Sequence, residues 1–202
     1  MKKKKIKQTE EEKIAQKELS IEATAYHEAG HAAIAFILGQ KFKKITIDKK
    51  KCQKGIRGML EKYPRKPKDL SKTSSYKILQ DLEPEILVSM AGHYAHRRYD
   101  PESANLNYSD EDMDYAIDLI HMVVIGRVSE FRISSTPDKL KDLIMKLQEL
   151  YLHKLQDEIE ILLSSPIVWE MVESIANALL HKETLNWSEV ICIIATQKTP
   201  DE

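Results

Sequence analysis

The sequence HEAGH at residues 27–31 constrains this chain more than any other stretch, because it places polar side chains within an apolar helical segment. That segment covers residues 25–38, and the glycine that follows, Gly39, is a typical helix stop. His27 and His31 are four residues apart. On an α-helix this spacing brings both imidazoles to one face, one turn apart.

Two imidazoles in this arrangement can hold one metal ion, and Glu28 follows the first of them. From that position a carboxylate can take a proton from a water molecule on the metal, as in zinc-dependent hydrolases. An amphipathic helix whose histidines bind nothing is the alternative. The neighbouring residues are small and apolar, however, and each buried polar group without a partner costs about 1–3 kcal/mol. We therefore predict one Zn²⁺ per chain, with His27 and His31 as ligands and Glu28 as the catalytic base.

A catalytic zinc ion has three protein ligands and one open position, so this site needs a ligand from another part of the chain. The acidic cluster at 110–114 is the best source and opens a predicted helix. We predict that Asp112 is the ligand, with Asp110 and Glu111 as alternatives. Acidic residues that stabilise a helix N-terminus without any metal would give the same pattern.

The faces of this helix distinguish between its carboxylates. One face is predicted to carry an apolar stripe of Met113, Ile117, Ile120 and Val124. Asp112 lies on a neighbouring flank together with apolar side chains, namely Ala116, Leu119 and Val123. Asp114 instead shares its face with Asp118 and His121 and is expected to be solvated. The face of Asp112 is therefore the one expected to point into the protein.

The rest of the chain predicts a mainly α-helical domain with a small β-sheet, an α+β fold. The first helix begins at Thr9 if its capping pattern holds, and the helical pattern resumes at Ser74 after two strands. Pro84 fits the first turn of a helix that ends near Tyr99, and a polar loop follows at 101–109. The predicted strands are 42–48 and 55–63, and the later helices are 110–125, 137–163, 166–180 and 187–195.

The second predicted strand is a candidate for substrate binding. An edge strand can hold an extended peptide through main-chain hydrogen bonds. We predict that this contact involves Gly55, Ile56, Arg57, Gly58 and Met59. A strand that only covers the core is the alternative.

Composition and charge add few limits on function. The chain has 202 residues, 42% of them hydrophobic, which is enough for one sizeable core. Its net charge of −1 gives no general attraction for nucleic acid. Cys52 and Cys192 are far apart and fit neither a disulfide framework nor a thiolate zinc site. No apolar run reaches the ~20 residues that span a bilayer, so we expect a cytoplasmic protein without a transmembrane anchor.

Several motifs, in the same order, resemble the peptidase domain of the FtsH family, the membrane-anchored AAA+ zinc proteases. The segment at 25–32 resembles that family's zinc helix, and 44–47 resembles the strand that follows it. The sequence AGHYAH at 91–96 resembles the family's Gly-Gly-Arg-x-Ala-Glu helix. Residues 109–116 resemble its Ser-Asn-Asp-Leu segment, whose aspartate is the third zinc ligand, and 178–185 resemble its C-terminal Leu-Leu-x-x-Glu-Thr-Leu signature.

The resemblance implies an FtsH-type metallopeptidase helical domain at residues 18–202, preceded by a basic, charged and partly helical tail at 1–17. It places the third zinc ligand on Asp112. It implies a zinc-dependent metalloendopeptidase that cleaves unfolded or flexible polypeptides. The family's peptidase domains form six-membered rings, so a homo-hexamer is implied. The chain has no P-loop, so folded substrates would need a separate AAA+ unfoldase.

The chain departs from the family pattern at His93 and His96, which stand in place of an arginine and a glutamate. That glutamate supports the metal ligands, a role that His96 is able to take. The simplest interpretation is two partly buried histidines, and a second metal site with His121 is another. For the whole protein, the alternatives to a peptidase are a non-proteolytic zinc-binding module that acts in protein interaction or assembly, and a helical assembly domain without metal.

Overall fold

The computed structural model describes residues 10–48, 50, 58–63, 75–104, 111–130 and 136–196. The helices are Glu10–Ile37 (α1), Ser75–Tyr99 (α2), Pro101–Ala104 (α3), Glu111–Glu130 (α4), Pro137–Ser164 (α5), Pro166–Lys182 (α6) and Trp187–Ala195 (α7). The strands are Phe42–Thr46 (β1), Met59–Lys62 (β2) and Thr184–Asn186 (β3). The predicted class, mainly helical with a small sheet, is confirmed.

Helix α1 lies at the centre of the fold because small side chains form its inner face. Four alanines of this face are fully buried, namely Ala25, Ala29, Ala32 and Ala33. The helix packs against α2 and α6. A Cβ atom added at Gly30 would lie 2.5 Å from the Cβ of Ala95 on α2. Glycine is therefore required where these two helices cross.

The end of α1 directs the chain into the sheet. Gly39 has a φ of +66°, its N–H donates to the carbonyl of Phe36, and the next N–H, of Gln40, donates to Ala35. These two bonds form a Schellman motif, which favours glycine at the left-handed position. The helix stop predicted at Gly39 is confirmed.

The antiparallel sheet has the strand order β2-β1-β3. Ile45 in β1 pairs with Leu60 in β2 and with Leu185 in β3. The first two strands were predicted, although they are shorter than 42–48 and 55–63, and residues 51–57 lie outside the described residues. Strand β3 was not predicted. Among the described strands, β2 forms one edge of the sheet.

The prediction that Pro84 lies in the first turn of a helix is wrong. The helix runs from Ser75 to Tyr99 without a break, with Pro84 in its interior rather than in its first turn. An interior proline removes a backbone hydrogen bond and costs about 3 kcal/mol. Every residue at 85–92 is buried, and this packing against α1 and α4 outweighs the local cost.

The loop predicted at 101–109 is also corrected, because α3 occupies its first four residues. Residues 105–110 lie outside the described part. Helix α4 continues to Glu130 rather than ending at 125. Its predicted apolar stripe is wrong at Ile117, which is 45% exposed. Apolar residues occur on nearly every side of α4, so their periodicity does not select one face.

The C-terminal part agrees closely with the sequence patterns. The starts predicted for α5, α6 and α7 are confirmed. Asn186 caps α7 by accepting from the N–H of Glu189, while the Glu189 carboxylate accepts from the N–H of Asn186. The cap predicted at Thr9 lies outside the described residues. Within the described ranges, none of the helices has the length and hydropathy needed to cross a bilayer.

Candidate metal centre

Helix α1 brings His27 and His31 together as their spacing predicts. Their Nε2 atoms are 3.0 Å apart, and the ring centroids are 4.7 Å apart with the rings nearly perpendicular. The His31 side chain is 5% exposed and that of His27 is 19% exposed. The two imidazoles therefore point to one place between helices, with His27 nearer to solvent.

Asp112 joins this pair from the first turn of α4. Its Oδ2 atom lies 3.2 Å from the Nε2 of His27 and 3.2 Å from the Nε2 of His31. The flank predicted for Asp112 is buried at Ala116, Leu119 and Val123, and this packing holds the start of α4 against α2. Of the alternatives, Glu111 is exposed and Asp110 lies outside the described residues. The structure thus brings together the three side chains that were predicted as ligands.

The protonation state of His31 follows from its other nitrogen. The Nδ1 atom is 2.6 Å from the backbone carbonyl of Val88 on α2. A carbonyl only accepts, so Nδ1 carries the proton and the neutral ring presents a lone pair at Nε2. A ligating histidine is commonly oriented in this way by a carbonyl or carboxylate.

The contacts among the three side chains contain too few donors. A neutral His27 has at most one proton at Nε2, which serves either His31 or Asp112. The contact between the Nε2 of His31 and the Oδ2 of Asp112 then joins two acceptors. A cation at the centre of the three atoms, or an additional proton on His31, is needed to make this arrangement favourable.

The pKa values of Asp112 and His31 reflect both their burial and their mutual attraction. Burial opposes ionisation of Asp112, but the charge of His31 and hydrogen bonds from both histidines outweigh it and hold the pKa of Asp112 well below its usual range. Burial also lowers the pKa of His31, yet the charge of Asp112 and hydrogen bonds to Asp112 and Val88 outweigh it, so this pKa is raised. Without a metal, a second proton on His31 is therefore held more strongly than on an ordinary histidine.

The donor set fits a tetrahedral zinc ion. Zinc bonds to nitrogen and oxygen of about 2.0–2.1 Å place neighbouring ligands ~3.3 Å apart, close to the observed 3.0–3.2 Å. Two imidazoles with one carboxylate are a common zinc set. The Asp112 side chain is 46% exposed, so one side of the centre is open to solvent.

Glu28 occupies a different environment from the three ligands. It is only 4% exposed, and its Oε2 atom has no hydrogen-bond partner among the described residues. Burial raises the pKa of Glu28 to about 8, against a lowering effect of His27 and with a smaller raising effect of Asp112. A buried carboxyl group with a raised pKa is characteristic of functional sites.

Gly58 shapes the other side of this carboxyl group. A Cβ atom at Gly58 would lie 2.4 Å from the Oε1 of Glu28, so the Glu28 side chain packs directly on the backbone before β2. Of the predicted substrate-binding residues, Gly58 therefore lies beside the centre, and Met59 follows it as the first residue of β2. Gly55, Ile56 and Arg57 lie outside the described residues.

Gly92 on α2 is a functional position that the sequence reasoning missed. A Cβ atom there would lie 2.4 Å from the Nε2 of His31 and 2.6 Å from the Nε2 of His27. Glycine thus leaves the space in which the two imidazoles meet. A glycine inside a helix costs about 1 kcal/mol relative to alanine, which is a signal that the sequence contained.

The remaining histidines do not extend the metal centre. Among the described residues, His27, His31 and Asp112 form the only group of three or more such side chains placed to share an ion. A second metal site at His93, His96 and His121 is therefore not formed there. A supporting role for His93 or His96 stays a prediction.

A comparison of the sequence with known protein families and with curated protein sequences found no match.

Proposed function

We propose that this protein is a zinc-dependent metalloendopeptidase. One observation supports the proposal above all: three metal-binding atoms from two helices converge within 3.2 Å of one another, beside a buried carboxyl group that lacks a partner on Oε2. Three ligands with an adjacent base are the components that hydrolysis by a metal-activated water requires.

His27, His31 and Asp112 would hold the ion, and the solvent-exposed side of Asp112 leaves room for water and substrate. Zinc bound there would act as a Lewis acid towards a carbonyl and lower the pKa of water to about 7. The Val88 carbonyl keeps the His31 ring in its ligating tautomer. Gly92 keeps the space between the two rings open.

Glu28 is the proposed proton carrier. It takes a proton from the attacking water and passes it to the departing amine. A carboxyl group with a pKa of about 8 is able to exist in either protonation state near neutral pH. Beside a bound cation the ionised form, which accepts the proton, is favoured. Gly58 allows this carboxyl group to lie against the backbone.

The substrate would bind as an extended peptide along the edge strand β2. Main-chain hydrogen bonds to an edge strand recognise a peptide largely independently of its sequence. Gly58 and Met59 would then place the peptide next to Glu28. Unfolded or flexible polypeptides are the expected substrates, because a folded chain does not present an extended segment.

The family relationship and the assembly state are part of the proposal. The resemblance of five segments to the FtsH peptidase domain supports a homo-hexameric peptidase domain. Such an assembly would use a separate AAA+ unfoldase for folded substrates. Nucleic acid is not an expected partner, since the net charge is −1.

The test is cleavage of fluorescently labelled casein by zinc-loaded protein. Glu28→Gln should keep zinc and reduce the rate by about 10²–10⁴-fold, the usual contribution of general acid–base catalysis. Asp114→Asn is the matched control, because Asp114 is an exposed carboxylate two residues from the ligand, and it should retain full activity. Zinc-loaded protein that cleaves nothing would contradict the proposal and support the non-proteolytic zinc-binding module.

A further inference from the structure

A small cleft lies one helical turn from the metal centre, between α1, α2 and β2. Ala35 lines it and follows His31 by four residues on the same face of α1. Val88 also lines it, and its carbonyl accepts the hydrogen bond from His31. Leu60 of the edge strand closes one side. A peptide that passes the metal centre along β2 would therefore bring a neighbouring residue to this cleft.

The lining of the cleft combines apolar surface with positive charge. Its apolar residues include Ala35, Phe42, Leu60 and Val88. Two lysines, Lys41 and Lys62, and one carboxylate, Glu85, are its charged members. A side chain with a short apolar stem and a negatively charged end would match both features.

The carboxylate of Glu85 is already compensated. Its Oε1 atom accepts from the ammonium of Lys62 at 3.3 Å and from the hydroxyl of Tyr115 at 2.8 Å. The Glu85 side chain is 9% exposed, whereas that of Lys62 is 37% exposed. An ammonium group has three donors, so Lys62 has donors beyond the one used by Glu85. The exposed charge of the cleft is therefore positive.

We propose that this cleft binds a carboxylate of the peptide substrate, with Lys62 and Lys41 as the cationic groups and the half-buried Leu60 as the apolar contact. The proposal rests on the proposed peptidase function and names its substrate class, namely peptides with a carboxylate close to the scissile bond. The carboxylate can belong to an internal glutamate or to the peptide's C-terminus.

Four short peptides of alanine, glycine and leucine separate these two sources. The first pair carries a central glutamate or glutamine, with both ends blocked. The second pair lacks the glutamate and ends in a free carboxylate or an amide. Zinc-loaded wild-type protein should cleave the carboxylate member of one pair with a kcat/KM about fivefold higher than its neutral partner, as expected for a partly exposed ion pair. The pair that shows the preference identifies the source.

Lys62→Met tests the residue that is proposed to recognise the carboxylate. In this variant the ratio of kcat/KM between the carboxylate peptide and its neutral partner should fall from about five to about one. Lys43→Met is the matched control, because the ammonium of Lys43 binds Glu61 at 2.8 Å on β2 and Lys43 does not line the cleft. It should keep the preference. Equal cleavage of both members of each pair by the wild type, or a preference that Lys62→Met retains, would overturn the proposal.

A binding measurement separates failure of this proposal from failure of the proposed function. The same four peptides, labelled with fluorescein, are titrated against Glu28→Gln protein and followed by fluorescence anisotropy. If the wild type cleaves no peptide, the proposed function fails, but about fivefold tighter binding of a carboxylate peptide, lost in a Glu28→Gln/Lys62→Met double variant, still supports the cleft. Equal binding of charged and neutral peptides overturns it.

Discussion

The metal centre and the junction between α6 and α7 both gather polar side chains from separate elements, but they differ in how these groups are satisfied. At the junction, donors meet acceptors: Asn186 and Glu189 exchange hydrogen bonds, and the hydroxyl of Thr46 donates to the carbonyl of Glu183. At the metal centre, acceptors meet acceptors, and the buried Oε2 of Glu28 has no partner among the described residues.

This difference separates a structural polar cluster from a functional one. Among the described residues, no buried side-chain polar atom of the junction lacks a partner, so its polar residues serve the fold by joining β3 to β1 and capping α7. With neutral histidines, the metal centre has fewer donors than acceptors, and its buried polar atoms cost stability until a cation or a proton is supplied. Substitutions in the metal centre and in the junction should therefore affect metal binding and stability differently.

The largest effect, on zinc affinity, is expected from Gly92→Ala. The added methyl group would occupy the space where the Nε2 atoms of His27 and His31 meet. Zinc affinity should fall by about 10–100-fold, as for loss of a supporting group in a metal site. Gly126→Ala is the matched control, since a Cβ there meets only Ile78 at 3.6 Å. Isothermal titration with zinc measures both, and unchanged affinity in Gly92→Ala would contradict the geometry described for the centre.

Replacement of a glutamate by glutamine should stabilise the protein at the metal centre and destabilise it at the junction. Glu28→Gln should stabilise the metal-free protein at pH 8 by about 1–3 kcal/mol, because a buried carboxylate without a full set of partners is removed. The pKa of Glu28 is raised from 4.5 to about 8 on folding, so this gain should be absent near pH 4 and grow as the pH rises to 8. Urea unfolding at several pH values measures it.

Glu189→Gln is the reference for this change. Hydrogen bonds from Lys182 and from the N–H of Asn186 lower the pKa of Glu189. Its contribution to stability is therefore present above pH 4.5 and is lost as the pH falls. The substitution should destabilise the protein at neutral pH by up to about 1 kcal/mol. If Glu28→Gln and Glu189→Gln both stabilised or both destabilised the protein, the two regions would not differ as described.

Zinc affinity should fall as the solution becomes more acidic. Asp112 and the Val88 carbonyl outweigh the effect of burial and raise the pKa of His31, so protons compete with the metal at a higher pH than for an ordinary histidine. Below that pKa, each proton displaced from a ligand weakens binding about tenfold per pH unit. Titration against a chelating dye between pH 8 and 5.5 measures the dependence, and a constant affinity would exclude histidine ligands.

The smallest effect is expected at the junction, from Glu183→Gly. Glu183 ends α6 with a φ of 59°, a left-handed conformation that costs a side-chain-bearing residue about 1 kcal/mol and glycine little. The hydrogen bonds of Glu183 to Leu179, Ile47 and Thr46 use its backbone N–H and carbonyl, which the variant keeps. The free energy of unfolding should rise by about 0.5–1 kcal/mol, and thermal denaturation measures this. A decrease would show that the Glu183 side chain makes a stabilising contact.

The sequence allowed prediction of those site residues whose placement depends on local periodicity. His27 and His31 follow from the repeat of α1, and Asp112 follows from the buried flank of α4, because both arguments need only one helix. The starts of α5 and α6 follow from proline in the first helical turn.

Features that depend on contacts between distant segments were not predictable in this way. The role of Gly92 arises only where α2 crosses α1, and strand β3 is a three-residue segment that exists because Leu185 pairs with Ile45. The continuous helix through Pro84 has the same origin, because tertiary packing outweighs a local preference.

The most direct test of the metal centre is the metal content of purified protein, determined by elemental analysis for the wild type beside His27→Ala. We predict about one zinc per chain in the wild type and its loss in the variant. Circular dichroism should show that the variant keeps the fold. Wild-type protein that contains no zinc, and takes up none on titration at neutral pH, would contradict the metal centre and the peptidase function that depends on it.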